Sequence, residues 1–174
     1  MLLTKQQEFM LVVLQRLGCI RIEPLTILIQ QKFSITSRSA AERVVHAALQ
    51  QLWHCCSNLR TEQDIVYFSS CGIKQDHLDA INVMLELVGD SLFDFATETP
   101  PILLRFVVEH PKPTAFVVVN NSHSGLPPTF FPAEKIIILL HEGEQPTPFP
   151  IGNTQIFAVK QENGLYRLLT KKTK

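Results

Sequence analysis

Residues Ser34–Trp53 read SITSRSAAERVVHAALQQLW. Ala41, Val44, Val45, Ala48, Leu49 and Leu52 recur at helical spacing, so the stretch is an amphipathic helix with one face for a core. Arg38, Ser39, Glu42, Arg43, His46 and Gln50 fall largely on the other side. Two serines compete to cap its start. Ser39 and Glu42 have the Ser-x-x-Glu spacing of a capping box, and Ser37 offers a second hydroxyl. The buried stripe suits a bundle helix and a DNA-reading helix equally; the use of the polar flank separates the two.

The flanking segments favour the second. Upstream, Thr4 can cap a helix whose apolar positions are Phe9, Val12, Val13 and Leu17, and Gly18 can end it. Cys19–Ile22 is a short extended link. Glu23-Pro24 opens a second helix, which carries Leu25, Leu28 and Ile29 and stops near Phe33. Downstream, His54–Leu59 and Ile65–Phe68 have extended character on either side of a polar turn at Arg60–Gln63. Three helices followed by a hairpin give the order of a winged helix-turn-helix, expected over residues 1–73. The third helix would lie in the major groove and the hairpin tip against flanking phosphates. Arg38, Ser39, Arg43 and His46 would then face bases or phosphates, with Ser37 at the helix entrance. Lys32 and a tip-located Arg60 would anchor the DNA backbone, since guanidinium groups grip guanine edges and phosphates alike.

A fourth, connecting helix is expected at 74–90, with Leu78, Ile81, Met84, Leu85 and Val88 on one stripe from about Gln75 to Val88. Pro24 is the single proline before Gly89-Asp90-Ser91, and the other ten follow it, which marks a change of architecture there. Residues 91–174 read as a small α+β sheet domain. Its strands are expected at Leu92–Ala96, Ile102–Glu109, Ala115–Asn120, Lys135–His141, Thr154–Val159 and Leu165–Leu169. Ile136–Leu140 is apolar enough for a central strand, and Asn163-Gly164 is a hairpin turn. The whole chain is thus expected to be α+β.

A helix, three strands, a partly helical link and another strand also outline a restriction-endonuclease-like core. Such an enzyme needs carboxylates and a lysine converging on a divalent metal. Ala115–Asn120 carries no charge, and Glu109 and Lys112 are separated by a proline turn, so any such core here is degenerate.

The 174 residues hold 16 basic and 16 acidic side chains, which excludes a strongly basic nucleic-acid coat. Residues 1–90 carry eight basic and nine acidic groups, so only a local patch could attract DNA. Cys19, Cys55, Cys56 and Cys71 lack metal-clip spacing and read as free thiols in a reducing cytosol. The six histidines form no ligand pair, His123-Ser124-Gly125 is no nucleophile elbow, and no phosphate-binding glycine loop occurs. No enzyme, cofactor or metal site is expected. Leu11–Leu14 is too short for a signal or a membrane span, which points to a cytoplasmic protein without a membrane partner.

The chain resembles the poorly characterised winged-helix proteins of Firmicutes that are linked to mobile elements and related to the replication-relaxation group. The stretches that carry the resemblance are SRSAAERVVHAALQQLW with the hairpin after it, DHLDAINVMLELVGD, the strand pair PPILLRFVVE and TAFVVVNN, and TQIFAVKQENGLYRLL. It implies a DNA-binding or regulatory role without a known reaction. The expectation for the chain is a bacterial DNA-binding regulator of transcription or mobile-element replication, with double-stranded DNA as partner and a homodimer or protein contact made elsewhere. The neutral helix surface departs from that picture. It leaves an alternative: a protein–protein docking module on the same scaffold.

Overall fold

The computed structural model describes residues 2–88, 92–109, 111–123, 133–141, 143–145 and 154–170. The expected boundary at Gly89-Asp90-Ser91, His110 in the proline turn, residues 124–132 of the link and the tail at 171–174 lie outside them. The chain is α+β and divides into two compact units, Met1–Leu78 and Asp79–Lys174.

The first unit runs α1 (Lys5–Leu17), β1 (Cys19–Arg21), α2 (Ile22–Lys32), α3 (Arg38–Cys55), β2 (Leu59–Glu62) and β3 (Ile65–Phe68). Thr4 and Gln7 close a capping box on α1: the Thr4 hydroxyl accepts from the Gln7 amide, and the Gln7 side chain accepts from the Thr4 amide at 2.8 Å. Gly18 then stops the helix with φ of 75°, a backbone state that side chains disfavour. Its amide returns to the Leu14 carbonyl, and the chain is released straight into β1. The three strands form an antiparallel sheet in the order β1-β3-β2, with Ile20 opposite Val66 and Thr61 opposite Val66 on the other side. Met10, Val13 and Leu14 of α1, Leu25 and Ile29 of α2, and Val45, Leu49 and Leu52 of α3 are buried, as are Ile20 and Val66 of the sheet.

Two local expectations are corrected here. His54 and Cys55 are helical, not extended, and β2 begins only at Leu59. The helix continues because Leu52 still belongs to its buried stripe and its carbonyl still receives the Cys56 amide at 2.7 Å. Arg60–Glu62 are strand residues, not a turn; the turn is the pair Gln63-Asp64, with Gln63 at φ of 54°. β2 is an edge of its sheet, so Arg60, Thr61 and Glu62 remain in water and only Leu59 is buried. A polar run on an exposed edge has the composition of a turn.

α4 (Gln75–Val88) spans the division between the units. The second unit contains β4 (Leu92–Thr97), β5 (Ile102–Val108), β6 (Thr114–Asn120), β7 (Lys135–Leu140), β8 (Thr154–Lys160) and β9 (Tyr166–Thr170) in one sheet that follows sequence order. β4, β5 and β6 are antiparallel, β6, β7 and β8 are parallel, and β9 returns antiparallel to β8. Ile136–Leu140 of β7 is buried at every position, so both faces of this central strand are covered. Ile102, Val117, Val119, Ile136, Ile138, Leu140 and Phe157 form one apolar cluster. In a separate row, Phe95 stands opposite Phe106 and Phe106 opposite Phe116. The last two rings stack at 4.8 Å, and the Lys135 ammonium lies 5.1 Å from the Phe116 centroid.

Two polar contacts fasten α4 to the end of this sheet. Lys160 Nζ donates to both carboxylate oxygens of Asp79 at 3.0 Å. The Glu86 carboxylate accepts from the Tyr166 amide at 3.3 Å. Burial pushes the Glu86 carboxyl above its usual range, and the Tyr166 amide opposes that shift. No helix among the described residues is long and apolar enough to cross a membrane.

Candidate nucleic-acid interface

The entrance of α3 is set by Ser37. Its backbone is extended (φ −127°, ψ 144°) and its hydroxyl accepts from the Ala40 amide at 3.2 Å. Ser39 therefore lies inside the first turn, its hydroxyl oxygen 3.5 Å from that of Ser37. Of the two candidate caps, the structure uses Ser37. No capping box forms at Ser39, and Glu42 turns instead toward Arg38, at 3.5 Å. Ala41, Val45, Ala48, Leu49 and Leu52 are buried along one side of α3, which fixes the helix rotation. That rotation leaves Arg38, Ser39, Glu42, Arg43 and His46 exposed.

The cations along this flank differ in their engagement. Arg38 donates to Glu23 at 2.8 Å as well as meeting Glu42. All three side chains are well exposed, so each ion pair contributes only about 0–1 kcal/mol. Arg43 and His46 have no hydrogen bond or ion pair among the described residues. Lys32, exposed at the end of α2, has its ammonium 5.9 Å from the Phe9 ring centroid.

Arg60 is not at the hairpin tip. It stands opposite Tyr67 near the base, and its guanidinium donates to the carbonyls of Ser57 at 2.7 Å and Leu59 at 2.9 Å. The tip itself is acidic, with Glu62 beside Gln63-Asp64. Asp64 is held by Arg21 of β1 at 2.9 and 3.0 Å. Sequence reading missed Arg21 as the residue that steadies this hairpin. The signal was there in kind: Asp64 is the acidic residue of a turn whose strands must pair with a short link carrying one arginine.

No group of three or more histidine, cysteine, aspartate or glutamate side chains that could hold a metal occurs among the described residues. His46 and His54 are exposed. His77 is buried, and its imidazole is held below the usual histidine range by burial first and Lys74 second, with Asp76 pulling the other way. In the second unit, Glu109 is exposed beyond the end of β5, while Lys112 meets Glu134 at 3.5 Å. β6 presents Ala115–Val119 without a charged side chain. No protein-family profile, curated protein or solved structure matches the chain.

Proposed function

We propose that residues 1–73 are a winged helix-turn-helix that binds double-stranded DNA, with α3 entering the major groove. One observation carries the reading. The order α1-β1-α2-α3-β2-β3 closes on a β1-β3-β2 sheet and leaves the Arg38–His46 flank of α3 in water. On this reading Arg43 and His46 reach base edges or phosphates, and Ser37, Arg38 and Ser39 approach the backbone at the helix entrance. Lys32 holds a neighbouring phosphate. Arg60 serves the base of the wing and contributes least. The protein then acts as a regulator in the cytoplasm, of the kind the mobile-element resemblance implies.

Fluorescence anisotropy with duplex DNA over a salt series tests this. Three phosphate-contacting cations, Lys32, Arg38 and Arg43, give a slope of log K against log[salt] of about −3. Arg43→Ala should lower affinity by about 1–3 kcal/mol on a preferred sequence, or reduce the slope by about 1 if it holds a phosphate. Affinity for duplex DNA that is indifferent to salt and to Arg43→Ala would refute the proposal.

A second reading has its own support. The Glu23–Arg38–Glu42 cluster and the acidic wing tip form an alternating-charge surface, which suits docking on a protein of mixed charge. That reading predicts no binding to duplex DNA at any salt concentration.

A further inference from the structure

Two consecutive cysteines occupy the point where α3 gives way to β2. Cys55 is the last helical residue and is exposed. Cys56 follows in a non-helical conformation (φ −115°, ψ 89°) and is half-buried. The backbone beneath them is fixed on both sides: the Cys56 amide donates to the Leu52 carbonyl at 2.7 Å, and its own carbonyl accepts from the Leu59 amide at 3.0 Å. The Cys55 thiol leans back over the helix end, 3.2 Å from the Gln51 carbonyl and 3.5 Å from that of Leu52. Cys56 is its immediate neighbour in the chain, with Cα atoms about 3.8 Å apart across the peptide, so rotation of the exposed Cys55 side chain can bring the two sulfurs to one centre.

We propose that Cys55 and Cys56 form a dithiol site for a trivalent, thiophilic metalloid, an organic arsenical of the form R–As=O. Three alternatives fit the pair less well. A mutual disulfide needs Cα atoms about 4.4–6.8 Å apart, whereas adjacent residues across a trans peptide are held at about 3.8 Å. Tetrahedral zinc needs further ligands, and no group of three or more donors is present among the described residues. A peroxide sensor needs a ready thiolate, but burial and the neighbouring Cys55 push the Cys56 thiol upward.

A pyramidal arsenic(III) centre asks less of the protein. It takes two adjacent sulfurs and keeps its own carbon substituent as the third bond. Two As–S bonds form and the As=O bond breaks. Both thiol protons leave with that oxygen as one water, and no atom changes oxidation state. Capture draws the Cys55 sulfur away from the last-turn carbonyls it now faces.

The test is a titration of the full-length, reduced chain with phenylarsine oxide, followed by intact mass and free-thiol count. One equivalent should add with loss of one water, and two thiols should disappear together. The adduct should survive excess mercaptoethanol and be reversed by dimercaptopropanol. Cys55→Ser and Cys56→Ser should each weaken capture at least about 100-fold, the gain expected from linking two binding events. Cys19→Ser and Cys71→Ser should leave it unchanged. Circular dichroism checks that each variant is folded, and Cys55→Ala supplies a second substitution at the exposed thiol. Capture that persists in folded Cys55→Ser or Cys56→Ser, or an adduct stripped by mercaptoethanol, overturns the proposal.

Discussion

The Lys160–Asp79 pair should respond very differently to removal of its two members. The Asp79 side chain is 5% exposed and that of Lys160 is 37% exposed. Removing one partner of a buried ion pair costs about 3–5 kcal/mol, because the charge left behind is uncompensated. In Lys160→Met that charge is the buried carboxylate. Asp79 has a further interaction besides Lys160, which brings the expected cost to about 2–4 kcal/mol. In Asp79→Asn the charge left behind is an ammonium already partly in water, 6.0 Å from the Tyr166 ring centroid. It can hydrate by a small rotation, so the loss is near that of one hydrogen bond, about 1 kcal/mol. The double variant should cost less than the sum of the two, since neither unpaired charge remains. Urea unfolding of the full-length chain, followed by far-ultraviolet circular dichroism, measures all four corners of the cycle. Asp79→Asn costing as much as Lys160→Met, or single costs that add within about 0.5 kcal/mol, would refute the reasoning.

Two further outcomes are expected. Ser37→Ala should destabilise the first unit by about 1 kcal/mol through loss of the α3 cap, while Ser39→Ala should fall within about 0.5 kcal/mol of wild type; thermal melts of the two variants compare them directly. His77 makes stability fall as pH drops below its ordinary value of 6.5, because the unfolded chain then binds a proton that the folded chain resists. Melting temperatures across pH 5–7 should therefore flatten in His77→Gln, and an unchanged slope would remove His77 as its source. Glu86 acts with the opposite sign, its raised carboxyl favouring the folded state at low pH and losing that contribution as pH rises through the folded-state value. The variant is accordingly compared with wild type at each pH, so that the Glu86 contribution cancels.

The parts of the fold legible in the sequence are those where one periodicity dominates. The α3 stripe from Ala41 to Leu52 and the run Ile136–Leu140 each follow one periodicity; both are buried, apart from Val44 at the margin of the stripe, which is half-buried. The chain was misread where composition and position disagree. His54-Cys55 adjoins an extended segment but continues a helix whose buried stripe runs to Leu52. Arg60-Thr61-Glu62 has turn-like residues but occupies an edge strand, where water satisfies polar side chains. The same error moved Arg60 from the base of the hairpin to its tip. The choice between Ser37 and Ser39 was undetermined because two hydroxyls lay within one turn of the helix start. Ion pairing was also out of reach: Glu23 and Arg38 are 15 residues apart and meet through the turn between α2 and α3.

The measurement closest to the central claim is amide chemical-shift mapping of the full-length chain titrated with duplex DNA. The winged-helix reading predicts that the largest shifts fall on Ser37–His46, with smaller ones at Lys32 and along β2–β3, and that β4–β9 are spared. Saturable shifts confined to β4–β9, or none at all at Ser37–His46, would contradict it.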